Sequence, residues 1–197
     1  SSNWHLYYGK YKSGMEPIRM QVNSFLTQNS IPSAAAYLRQ PWNIKLKTNK
    51  VEHNKEDQPS EVEKRVLKQI QQHENKIHIY TDASVKNTGR AGAAFCIPKN
   101  SIEAEIRLSN GTSIVSAELE AIKAALIFIS TTEIQNSNVL ILTDSLSAVR
   151  LLENGGPRMR GIESEIQDEI DCLYSTKNIE VEILWIPSHA NVPGNKK

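Results

Sequence analysis

Two runs in this sequence, IHIYTD at 77–82 and VLILTD at 139–144, both end in Thr-Asp. If the two are parallel neighbours in a sheet, Asp82 and Asp144 meet at the carboxyl ends of their strands, the edge where open α/β sheets bind ligands. A third acid comes from the segment 114–130. There Ile114, Ala117, Ala121, Ile122, Ala125, Leu126 and Ile129 share one helical face. Glu118 borders that face in the first turns and is expected to point at the sheet edge, whereas Glu120 lies away from the stripe. Carboxylates brought together repel one another unless cations neutralise them. With no His/Cys cluster to suggest zinc, the donor set suits Mg²⁺, which takes a few carboxylates and completes its shell with water and substrate phosphate. A single Asp at a turn is more often merely solvated, so the inference rests on the set of acids in this order.

The elements that must position these acids follow from periodicity. KIHIYTD alternates and is β-branched, which predicts a strand ending near Asp82. SVKNTGR reads as a turn, and AGAAFCIP and SIEAEIRL as two further strands joined through Pro98–Asn100. NVLILTD is a continuous apolar run, the signature of a central buried strand. SLSAVRLLEN and GIESEIQDEIDCLYS read as helices and IEVEILWIP as the last strand. The resulting order, β-β-β-α-β-α-α-β, is a mixed α/β layer. Upstream, Glu16-Pro17 can open a helix, and Ser33 can cap a short Ala-rich one that ends before Pro41. The polar text from Asn43 to Pro59 reads as an exposed connection. Ser60 and Glu63 have the spacing of a capping box, ahead of a helix over 61–73 with Val62, Val66 and Ile70 inward.

Composition bounds the function class. Of the 197 residues, 39% are hydrophobic and 23% charged, as in ordinary globular proteins. The most apolar stretch, 117–129, carries Glu118, Glu120 and Lys123, and falls short of the ~20 apolar residues a membrane span needs. No secretory leader is legible at the start. Cys96 and Cys172 have no metal-like spacing and are expected to be buried free thiols in a reducing compartment, nucleus or cytoplasm. The net charge of +1 hides an asymmetry: 12 Lys/Arg against 7 Asp/Glu in 1–76, and 11 against 15 in 77–197. A basic part beside an acidic part suits phosphate on one side and cations on the other. There is no G-x-G-x-x-G and no P-loop, which argues against a nucleotide-binding enzyme on a doubly wound sheet.

YTDAS, SAELEAIKAAL, LILTDSLSAV and WIPSHANVPGN, in this order and with these gaps, resemble the ribonuclease H domain. The closing phrase is similar to that of non-LTR retrotransposon reverse-transcriptase polyproteins. The resemblance covers about residues 76–197. It implies an α/β ribonuclease H-like fold: a five-stranded mixed sheet with helices on both faces, preceded by a mostly helical, basic extension over 1–75. It also implies endonucleolytic cleavage of the RNA strand of an RNA–DNA hybrid. Asp82, Glu118 and Asp144 would be the metal-binding catalytic acids, and His189 a mobile-loop histidine that assists proton transfer or product departure. Ala83, Ser84, Ser145 and Asn195 would contact substrate. Two Mg²⁺ ions about 4 Å apart, with Mn²⁺ as a substitute, would activate water and stabilise the leaving oxygen. Asp82, on a central strand, would bridge them. RNA would be told from DNA by its 2′-hydroxyl and the groove shape of the hybrid.

The pattern departs from the family in three places. Ala83 stands where Gly is usual. The stretch NGGPRMR replaces a longer basic insertion, so hybrid affinity is expected to lean on the basic 1–75 region and to lose salt dependence without it. A fourth acid is expected shortly after Gly194-Asn195, on a final helix, but in this sequence Gly194-Asn195 is followed only by Lys196 and Lys197. The sequence therefore suggests a C-terminally incomplete domain over 76–197, with that helix missing. The upstream partner would be a reverse transcriptase in the same polyprotein. The alternative is a non-catalytic ribonuclease H-like module that binds nucleic acid or a partner.

Overall fold

A computed structural model describes residues 46–54, 56–134, 137–154 and 161–188. The helices expected before residue 43, and the loop carrying His189 and Asn195, lie outside the described residues. In chain order the elements are β1 (Lys47–Lys50), α1 (Pro59–Gln71), β2 (Ile77–Val85), β3 (Ala91–Ile97), β4 (Ile102–Leu108), α2 (Ile114–Thr131), β5 (Val139–Thr143), α3 (Leu146–Glu153), α4 (Ile162–Lys177) and β6 (Val181–Trp185).

The strands form one sheet in the order β1-β6-β5-β2-β3-β4. β1, β6, β5 and β2 run parallel to their neighbours, and β2, β3 and β4 form an antiparallel meander. The sheet thus has six strands where five were expected. The extra one, β1, lies inside the polar stretch read as an exposed connection. Its sequence KTNK has nothing apolar to bury, so it carries no alternation; backbone pairing with β6 defines it, in the register Lys47↔Glu182 to Lys50↔Trp185.

Helices cover both faces. On one face, α2, α3 and α4 bury Leu126, Ile129, Val149, Ile166 and Leu173 against Ile79, Phe95, Ile141 and Ile183. All five residues of β5 are buried, which is why its sequence lacks alternation. On the other face, Val62 and Val66 of α1, with Ile70 behind them, pack on Tyr80, Leu140, Leu142, Leu184 and Ile186. The apolar spacing of α1 is as expected, but its start is not. Gln58 is the N-cap, with no side-chain cap bond, and Pro59 opens the first turn, so Ser60 and Glu63 form no capping box. The expected division at 75/76 falls between α1 and β2, which pack on the same sheet.

A buried carboxylate fastens this upstream part. Glu182, 6% exposed, accepts hydrogen bonds from Lys76 Nζ (2.5 Å) and Asn49 Nδ2 (2.5 Å), with His73 Nε2 at 3.6 Å. Burial works against the charge, but the bonds from Lys76 and Asn49 outweigh it and hold Glu182 below the ordinary carboxylate value. Cys96 is half-buried, and burial pushes its thiol pKa up. Cys172 is exposed, contrary to expectation: Ile170 and Leu173 carry the inward stripe of α4, and Cys172 falls off it.

Candidate active site

The site lies where the parallel part of the sheet ends. β2 and β5 are parallel neighbours with Thr81 opposite Thr143, so the next residues, Asp82 and Asp144, fall side by side. The two are held differently. Asp144 is the first residue past β5, as expected. Asp82 is not at a strand end, because β2 runs on to Val85 through its pairing with β3, with Asp82 opposite Ala94. Thr81 and Thr143 are buried beneath the acids, and Thr81 Oγ1 donates to Leu142 O (3.3 Å).

α2 delivers the third acid. Ser113 caps the helix by accepting from Ser116 N (3.1 Å). Ala117, Ala121 and Leu119 bury themselves below. Glu118 follows them inward and is 5% exposed. One carboxylate oxygen from each of Asp82, Glu118 and Asp144 lies within 4.8 Å of the others. Asp82 Oδ1 also accepts from Ala83 N (2.9 Å). Glu120 points elsewhere, as expected, and is half-buried. It pairs with Lys123 (3.0 Å), which reaches Glu165 of α4 (2.9 Å). Burial pushes the Glu120 carboxyl up, and Lys123 counters part of that.

An oxygen-only donor set of this kind fits a hard divalent cation. Two unit charges 4.8 Å apart repel by about 1 kcal/mol in water and about 3.5 kcal/mol at an effective dielectric of ~20. Gathering three of them is unfavourable unless something positive sits between them.

The RNase H family profile matches residues 73–197, well over half of the chain. The chain belongs to the RNase H family. A comparison with curated proteins returned no match. Membership carries, at family level, nuclease activity on RNA–DNA hybrids, so nucleic acid is the substrate class. Among the described residues no helix is long and apolar enough to cross a membrane.

Ala83 is buried, its methyl in the core, so only its backbone borders the site. Ser84 is exposed beside Gly92. The Ser145 hydroxyl is engaged as the N-cap of α3, accepting from Ala148 N (3.3 Å). Trp185 is half-buried and packs against the core. It also donates Nε1–H to the main-chain carbonyl of Asp144 (3.0 Å). Its place opposite Thr143 in the β5–β6 register is the signal that finds this bond, and the register is visible only once the sheet is assembled.

Proposed function

We propose that this protein is a metal-dependent endonuclease that cleaves the RNA strand of RNA–DNA hybrids, with Asp82, Glu118 and Asp144 as its metal-holding acids. The observation that carries the proposal is the convergence of three carboxylates from β2, α2 and the end of β5 within 4.8 Å. Mg²⁺, or Mn²⁺ in its place, would supply an activated water and charge neutralisation at the scissile phosphate. The chain's own part is to hold the acids in place and aimed at one point. Glu118 is fixed by a capped helix packed on the sheet. Asp82 is fixed by its place within a paired strand and by its bond from Ala83 N. Asp144 is fixed by the strand end and the bond from Trp185. Backbone groups at Ala83 and Ser84, together with Ser145 and Asn195, are assigned to substrate contact. His189 is assigned to proton transfer or product departure; His189→Ala should lower kcat and leave Mg²⁺ affinity unchanged.

The test is Mg²⁺-dependent cleavage of a hybrid labelled on its RNA strand, beside the same sequence as DNA duplex. Cleavage of the hybrid alone, leaving 5′-phosphate and 3′-hydroxyl ends, supports the proposal. Binding of the hybrid without cleavage in Mg²⁺ or Mn²⁺ overturns it in favour of a non-catalytic module. The retrotransposon context, with a reverse transcriptase upstream of residues 1–75, is supported by the phrase WIPSHANVPGN. Sequencing the transcript upstream of Ser1 checks it: an upstream frame with no reverse-transcriptase sequence removes it.

A further inference from the structure

The part of the chain that precedes the family match at residue 73 reaches the acidic end of the sheet. Strand β1 runs parallel to β6, so its last residues travel toward the same end as Trp185. Val51 N donates to Trp185 O (3.1 Å), extending the ladder one step past β1. Val51 itself is buried, 2% exposed, which anchors the turn that follows. Two residues on, the His53 ring lies against the Trp185 indole, with centroids 5.4 Å apart and planes tilted by 38°. The indole then donates to Asp144 O at 3.0 Å.

That carbonyl is doubly held, because Leu146 N also donates to it (3.2 Å). The next amide, Ser145 N, donates to Thr143 Oγ1 (3.2 Å). The peptide units on the C-terminal side of Asp144 therefore have a set orientation, and with it the direction in which the Asp144 Cα–Cβ bond leaves the chain. Of these bonds, the indole's is the one contributed from another strand. The indole is held from below by the core and on its exposed side by His53.

We infer that Trp185 and His53 are positioning residues for Asp144, and that the site of this protein therefore includes a segment lying upstream of the family-matched region. The inference rests on the reading of Asp144 as a metal ligand. Groups that orient a metal-holding side chain typically cost about 10–100-fold in metal affinity when removed. Trp185→Phe keeps an aromatic ring and deletes the N–H donor. His53→Ala removes the covering ring, and His53→Phe restores it.

The experiment uses the full chain and Mn²⁺ as the probe, titrated by electron paramagnetic resonance, alongside metal-free thermal melts and hybrid-cleavage kinetics. Trp185→Phe should weaken Mn²⁺ binding about 10-fold and lower kcat, with KM for the hybrid little changed. His53→Ala should move Mn²⁺ affinity in the same direction by a smaller factor, and His53→Phe should return it to the wild-type value. Because His53 is exposed, its variants decide the matter even if Trp185→Phe fails to fold. Wild-type Mn²⁺ affinity in His53→Ala, with Asp144→Asn having lost it, overturns the inference and leaves the site reading standing. Wild-type affinity in Asp144→Asn overturns the site reading itself.

Discussion

Replacing Asp82 with Asn should make the metal-free protein more stable while abolishing its chemistry. Asn is nearly isosteric, and its Oδ1 can still accept the bond that Asp82 Oδ1 takes from Ala83 N at 2.9 Å. What is lost is one negative charge and its repulsion with the carboxylates of Glu118 and Asp144, each within 4.8 Å. Asp82, which belongs to both pairs, is half-buried, so solvent reaches each pair from its side and screens it toward the lower end of the 1–3.5 kcal/mol range, about 1 kcal/mol per pair. Relief of two pairs gives about 2 kcal/mol, or about 4–8 °C in Tm for a chain of this size. The assay is a thermal melt of both proteins in chelator and again in millimolar Mg²⁺. Wild type should gain stability with Mg²⁺, because ligand binding to the folded state adds to it, and the variant should gain little. Hybrid cleavage should fall at least about 100-fold, since several kcal/mol of transition-state charge stabilisation are at stake. An Asp82→Asn protein that melts like wild type in chelator, responds equally to Mg²⁺ and still cleaves would refute both the electrostatic argument and the site.

Further outcomes follow from other parts of the molecule. Val66→Ala should destabilise the fold by about 2 kcal/mol through lost burial and a cavity, because Val66 is fully buried under the sheet; a denaturant midpoint unchanged from wild type would show that α1 does not support the sheet. Glu182 is held below its ordinary value of 4.5, so its contribution is complete above that pH and is lost as the pH falls through the lowered value. Glu182→Gln should accordingly flatten the acid limb of a stability–pH profile, and an identical limb would rule the cluster out. Residues 1–45 carry five Lys/Arg against Glu16. Neutralising Lys10, Lys12, Arg19 and Arg39 should flatten the slope of log K against log salt for hybrid binding by up to about four; an unchanged slope places the phosphate contacts elsewhere. Removing all of 1–75 would be a poor version of that experiment, since it also deletes β1 and α1.

Much of the site was legible because strands and helices expose their faces in their periodicity. VLILT reads as a central strand since both its faces must be apolar, and the Asp that follows must then sit at its end. Glu118 could be told from Glu120 by its place beside the stripe of Ala117, Ala121 and Ile122. Periodicity was silent wherever hydrogen bonds or charge, not apolar burial, define an element. KTNK forms β1 through backbone bonds to β6 and ion pairs from Lys47 to Glu180 and Lys50 to Glu153. The continuation of β2 past Asp82 is likewise set by its antiparallel partner and not by its own residues. The Ser60–Glu63 spacing mimicked a cap because Ser and Glu also suit the first turn of a helix that Pro59 had already begun. The Trp185 bond to Asp144 joins residues 41 apart in sequence, and no local pattern encodes it.

The two halves of the sheet are clothed differently, and this sets how the molecule breathes. β5 is buried on both faces and along both edges, with β6 and β2 as neighbours. β4 is the edge strand of the meander; Glu103 and Glu105 are exposed, alternating with inward Ile106 and Leu108. In hydrogen exchange, β5 amides should therefore be released only by global unfolding, and those on the outer edge of β4 by local opening. Asp144 leaves the slow half. Asp82 sits on β2, the strand that joins slow to fast. Opening of the meander would pull one acid away from the other two before the core lets go, so the competence of the site should fade at a temperature below that of unfolding.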